Sequence, residues 1–185
     1  LFLHGASDFN VMQGDTLRDP KILQGGNIAK FDCVIANPPF SLENWGATEW
    51  SSDKYKRNIY GTPSDSCGDY AWIQHMICSM SSGKGRMAVV MPQGILFRGN
   101  QEAEIRKQLV ESDLIEAVVT LGDKLFYGTG LSPCFLIIRR MKQAHHSGRI
   151  LMIDGSKILT QKRAQNILEE NDIDRLYSLY QNYSD

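Results

Sequence analysis

The chain has 185 residues, 42% of them hydrophobic and 22% charged, which is the balance of an ordinary globular domain. Those values exclude a disordered tail, a collagen-like repeat and a disulfide scaffold, and no apolar run reaches the roughly 18 residues of a membrane span. Twenty Lys and Arg against 21 Asp and Glu leave a net charge of −1, so any grip on nucleic acid is local or belongs mostly to another subunit.

The predicted elements alternate along the chain. Phe9–Gln13 reads as a short strand before Gly14-Asp15-Thr16, and Phe31–Ala36 as a β-branched strand halted by Asn37-Pro38-Pro39. Residues 45–67 hold Trp45, Trp50, Tyr55 and Tyr60 among Lys54, Lys56 and Arg57 with little periodicity, and are expected to form a long loop. Asp69 is placed to cap a helix from Tyr70 to Met80, whose residues Tyr70, Ile73, Met76, Ile77 and Met80 share one face. Strand Arg86–Met91 follows, then a helix from Gln101 to Glu111 capped by Asn100. Leu114–Leu121 and Cys134–Arg139 are strands joined by the long antiparallel connection 122–133, and Arg149–Asp154 is a further strand. A last helix opens at Asn171 with Asp174 and carries Ile173, Leu176, Leu179, Tyr180 and Tyr183. This order predicts an α/β fold with a mostly parallel sheet and an antiparallel strand near the C-terminus. The division expected is a catalytic portion over 1–155 and a helical extension over 156–185.

The four cysteines (Cys33, Cys67, Cys78 and Cys134) form no Cys-x-x-Cys pair, so free thiols in a reducing cytoplasm are expected and no zinc site. His145-His146 resembles a metal pair but sits among Lys, Gln and Gly, and reads as a solvated turn; His75 lies between apolar helix positions and reads as structural. The chain opens on Leu1 and stops at Asp185 straight after a helical pattern, so it reads as a piece of a longer protein.

Asn37-Pro38-Pro39-Phe40 carries the chemistry. It leaves a buried strand at the end where open α/β sheets bind ligands. The prolines fix φ and remove two backbone donors, leaving rigid carbonyls. Asn37 adds a side-chain acceptor and Phe40 a flat apolar face. Together they suit an amino group on a heteroaromatic ring: two oxygens on its hydrogens favour a pyramidal nitrogen with a localised lone pair. The alternative is a rigid turn that merely ends the strand, with Asn37 as a local cap.

Phe31–Ser41 (FDCVIANPPFS) resembles the catalytic motif of amino-group DNA methyltransferases. Leu3-His4-Gly5, Gly14-Asp15-Thr16-Leu17, Tyr70–Met76, Leu96-Phe97-Arg98-Gly99, Glu104–Lys107 and Leu125–Gly130 narrow the resemblance to the modification (M) subunit of type I restriction–modification systems, an N6-adenine DNA methyltransferase family. What the resemblance implies is methyl transfer from S-adenosylmethionine to an adenine flipped out of the duplex. Asn37 and Pro38 would hold the amino group, Pro39 would stiffen the bend, Phe40 would stack on the base, and Asp15 would lie near the cofactor's adenine. The partners implied are DNA, a specificity (S) subunit, a restriction (R) subunit and a second M subunit.

The resemblance also implies a departure. The family's first two strands, with a Gly-rich turn and a ribose-binding acid, have no counterpart here. Gly83-Lys84-Gly85-Arg86 precedes a strand rather than following one, and Gly128-x-Gly130 reads as a flexible connector. The fold expected is therefore part of an S-adenosylmethionine-dependent, Rossmann-like methyltransferase. Phe31–Ala36 should have an open edge, with Phe9–Gln13 displaced, paired to another chain or poorly ordered. Weak or absent cofactor binding and no activity by itself are expected of this stretch. Two other readings stay open: glutamine-side-chain methylation of a protein, and an inert scaffold that docks the S subunit.

Overall fold

In the computed structural model, which describes residues 2–5, 7–126 and 130–183, a five-stranded sheet forms the centre of the chain. A two-residue hairpin comes first: β1 (Leu23–Gln24) and β2 (Asn27–Ile28) turn through Gly25 and Gly26, whose φ values of 57° and 79° are open to glycine without strain. The sheet proper contains β3 (Cys33–Ala36), β4 (Arg86–Pro92), β5 (Ile115–Leu121), β6 (Pro133–Arg139) and β7 (Leu151–Gly155). Their order is β3-β4-β6-β5-β7. Four strands run one way; β6 alone runs against its neighbours, pairing Leu136 with Val89 on one side and with Val118 on the other. The anticipated antiparallel strand thus lies inside the sheet, and the last strand, β7, runs parallel to β5.

Alternation along the strands builds two cores. Met87, Val89, Met91, Val118, Cys134, Leu136 and Ile138 face α2 (Asp69–Ser79) and α3 (Asn100–Glu111), where Ile73, Ile77, Ile105 and Leu109 meet them. Val119, Leu121 and Ile153 point to the opposite face, against Leu176 and Tyr180 of α4 (Glu170–Gln181). The sheet is covered on both faces at β5, which is why Ala117, Val118 and Val119 run consecutively apolar in that strand.

Residues 9–13 form no strand: all five are exposed, and no described strand stands beside them to supply hydrogen bonds. The edge of β3 is open as expected, with β4 its sole partner among the described residues and Ile35 76% exposed. Residues 45–67 are not merely a loop. They contain the short helix α1 (Ala47–Ser51), and Trp45, Trp50 and Arg57 are buried. Gly68, not Asp69, occupies the N-cap of α2, because the Asp69 carboxylate turns toward another segment. Asn100 is the first residue of α3 and makes no side-chain cap. Helix α4 begins one residue before Asn171 and is closed by Glu169 and Asp172 in a reciprocal capping box. His146 is buried rather than solvated, stacked on Tyr183 at 4.0 Å. All four cysteines are free. No described helix is long and apolar enough to cross a membrane.

Candidate active site

The ladder between β3 and β4 ends with Ala36 opposite Val89, and the prolines that follow cannot extend it. Asn37 and Pro39 are exposed, Pro38 is buried and Phe40 is half-buried. The bend is therefore anchored through Pro38 and open through its flanking residues. The Asn37 side chain has no hydrogen-bond partner among the described residues, and the Pro38 carbonyl accepts no backbone bond there. Two acceptors thus stand uncommitted at the exit of the sheet. The Phe40 ring meets Phe126 edge-on, with centroids 6.2 Å apart and planes at 77°. Phe126 lies in the connection between β5 and β6; its ring was not singled out in the sequence, although the Leu125–Gly130 block was. Gly128 falls outside the described residues. Four cavities of about 190, 270, 330 and 350 Å³ are lined by other residues.

Behind the bend lies a charged brace. The N–H of Ser41 donates to Oδ1 of Asp69 at 2.8 Å, and Oδ2 of Asp69 receives Nη2 of Arg98. Arg98 Nε donates to Glu102 Oε2 at 2.6 Å, and Nη1 reaches the Ser41 hydroxyl at 3.3 Å. Burial works against the charge on Arg98, but the two carboxylates hold its pKa above the ordinary value. Cys67, Asp69 and Glu102 bring ligand-type atoms within 4.8 Å of one another. The Arg98 guanidinium already bridges the two carboxylates, and burial pushes the Cys67 thiol up to about 12, so the thiol stays protonated and is a poor metal ligand at neutral pH. Arg98 and Glu102 were not read from the sequence as a pair, though their i, i+4 spacing was a signal.

Asp15 lies in an exposed turn. Its Oδ1 accepts the N–H groups of Leu17 at 3.0 Å and Arg18 at 2.9 Å, while Oδ2 lies 3.6 Å from Arg18. One oxygen therefore closes the turn and the other faces a half-exposed cation. Two arginines draw this turn toward the tetrapeptide's loop. Arg18 donates to the carbonyl of Asn44, and the buried Arg57 donates to the carbonyls of Thr16 at 2.9 Å and Leu17 at 2.6 Å. Leu17 then packs with Trp45, Trp50 and Ala71, and the α2 N-cap presses close to the same cluster: a Cβ on Gly68 would lie 2.9 Å from Cγ of Trp45. The Asp15 turn and the tetrapeptide's loop thus share one packed cluster.

The whole chain, residues 1–185, matches the family model described as N-6 DNA Methylase. The chain belongs to that family. The chain is 34% identical over 196 residues to the methylase subunit of the type I restriction enzyme MjaVII of Methanocaldococcus jannaschii, a match covering 100% of this chain and 33% of the relative. It is 32% identical over 152 residues to the methylase subunit of the type I restriction enzyme HindI of Haemophilus influenzae, covering 82% of this chain and 32% of the relative. Among solved structures, the type I restriction-modification system methyltransferase subunit from Streptococcus thermophilus superposes with a TM-score of 0.81 at 29% identity, covering 92% of this chain and 35% of that one. The chain therefore spans about a third of the length of the curated relatives it matches. The expected fold class, α/β with a mostly parallel sheet, is the one found, and it is shared with the Streptococcus thermophilus methyltransferase subunit.

Proposed function

We propose that this chain supplies the catalytic tetrapeptide of a DNA adenine-N6 methyltransferase, the modification subunit of a type I restriction–modification system. One observation carries the reading: Asn37 and the Pro38 carbonyl stand uncommitted on a rigid, open bend at the exit of β3. An exocyclic amine there would donate one hydrogen to Asn37 Oδ1 and the other to the Pro38 oxygen. That geometry draws the nitrogen toward tetrahedral and directs its lone pair outward for in-line attack. Phe40 offers a face for stacking on the purine, and the T-shaped contact with Phe126 fixes that face. Pro39 keeps the backbone from relaxing away.

S-adenosylmethionine supplies the electrophilic methyl group when bound. The residues present fit it in part. Asp15 Oδ2 is available to accept from an exocyclic amine, its Oδ1 being occupied by the turn. Among the described residues no Gly-rich turn leads from a strand into a helix to meet the methionine end, so weak or absent cofactor binding by this stretch alone belongs to the same proposal. So do its partners, which are DNA, an S subunit, an R subunit and a second M subunit, and its place in the cytoplasm. The net charge of −1 supports a division of labour in which another polypeptide reads the DNA sequence.

The test uses the full-length protein, tritiated S-adenosylmethionine and unmethylated DNA. Label is expected at adenine N6. Asn37→Ala should abolish transfer while leaving subunit assembly intact; unchanged transfer would favour a scaffold role, and label in protein would move the acceptor to a glutamine side chain.

A further inference from the structure

The residue that follows the tetrapeptide has a backbone conformation that side chains disfavour. Ser41 has φ of 51°, in the left-handed region, where a Cβ crowds the following carbonyl. Its support is specific. The Ser41 N–H donates to Asp69 Oδ1 at 2.8 Å, and its hydroxyl accepts from Arg98 Nη1 at 3.3 Å. Asp69 has no exposed surface, and its second oxygen is held by Arg98. Arg98 is fixed in turn by Glu102 at 2.6 Å and, through its own carbonyl, by Arg106 Nη1 at 2.8 Å.

Two features set this network apart from ordinary helix packing. Asp69 opens α2, a place where a carboxylate commonly accepts from its own helix, yet α2 has no side-chain cap and Asp69 points at the loop instead. A buried carboxylate also needs a partner to be tolerated, and Arg98 meets that need while reaching the same serine. The brace therefore converges on Ser41 from both α2 and the segment that leads into α3.

We propose that Asp69, held by Arg98, is a positioning residue for methyl transfer: it fixes Ser41 in the left-handed conformation and so sets the direction in which Asn37 and Phe40 present themselves. This inference rests on the reading of Asn37–Phe40 as the catalytic bend. Small errors in aim are costly when catalysis is mainly orientation.

The experiment compares variants of the full-length protein by turnover with tritiated S-adenosylmethionine and unmethylated genomic DNA. Asp69→Ala is expected to lower kcat at least tenfold while KM for S-adenosylmethionine stays within twofold. Adding Ser41→Gly should restore kcat at least threefold, because glycine takes a positive φ without support. Asp69→Leu, of similar size and without an acceptor, carries the same comparison if the alanine variant does not fold. Wild-type kcat in the Asp69 variants, or a loss that Ser41→Gly leaves untouched, overturns the inference; the second result is what a purely structural role would give. Asn37→Ala separates the two levels. If it leaves methylation intact, the catalytic reading itself fails; if it abolishes methylation while Asp69→Ala is silent, only the positioning role fails.

Discussion

Asp53 and Arg57 form a bidentate pair four residues apart in the segment that follows α1, Nε to Oδ2 at 2.9 Å and Nη2 to Oδ1 at 2.8 Å, with both side chains almost fully buried. The guanidinium also stacks over the Trp50 ring at 4.5 Å and satisfies the carbonyls of Thr16 and Leu17. One side chain therefore ties the tryptophan-rich segment to the Asp15 turn. Arg57→Ala would leave the buried Asp53 without its counter-charge and the Thr16 and Leu17 carbonyls without this donor, a loss of about 3–5 kcal/mol. Lys cannot reproduce the planar fork, so Arg57→Lys should recover only part of it. Thermal unfolding of the three proteins checks the order wild type, Lys, Ala.

His75 accounts for a separate dependence on pH. Burial and the neighbouring Arg57 guanidinium push its pKa down to about 4, and its Nδ1 lies 3.2 Å from Arg57 Nη1. The neutral ring accepts from Arg57. In the unfolded chain the ring takes up a proton near its ordinary value of about 6.5, whereas the folded protein resists until about 4. Stability is therefore fully present above about 6.5 and falls as pH drops toward 4, by at most about 3 kcal/mol. Asp53, held below the ordinary carboxylate range by Arg57 despite its burial, adds a loss only at still lower pH. His75→Asn keeps an acceptor and cannot titrate. Its melting temperature should change less between pH 7 and 5 than that of the wild type.

The sheet was legible because its strands are bounded by residues with unambiguous physics. Pro38 and Pro92 stop β3 and β4, and alternation assigns the faces of β6. The tetrapeptide was legible for the same reason, since two prolines at a strand exit permit few conformations. What could not be read depends on contacts between distant segments. Periodicity does not reveal that Asp69 leaves its own helix for Ser41, 28 positions earlier, or that Arg57 reaches back to Leu17 across 40. Phe9–Gln13 was misread because strand propensity acts only where a neighbouring strand supplies hydrogen bonds.

The free edge of β3 predicts association of the chain when studied alone. Phe31 and Ile35 are 45% and 76% exposed beside unpaired backbone groups. Such an edge templates pairing with another strand. Ile35→Lys adds a charge on that edge and touches neither the tetrapeptide nor its brace. Light scattering of the 185-residue chain should show a concentration-dependent rise in mass that this substitution suppresses. A constant monomer mass for the unaltered chain would show that the edge is silent.

The C-terminal helix is bound to the sheet by one buried acid. Glu116 on β5 is 4% exposed, and its oxygens accept from Arg139 Nε at 2.9 Å and from the Tyr180 hydroxyl of α4 at 2.7 Å. Burial and the Glu116 carboxylate together raise the Tyr180 pKa, so the phenol stays a donor through neutral pH. Tyr180→Phe keeps the ring against Val119 and Ile153 but removes that donor, at about 1.5–3 kcal/mol for a bond to a charged group. Glu116→Gln should cost more, because it also strips Arg139 of its counter-charge. Denaturant titration of each variant gives the two values, and in the double variant the losses should not add, since both act through the same carboxylate. Full additivity would mean that α4 is held by its apolar contacts with Leu176 alone.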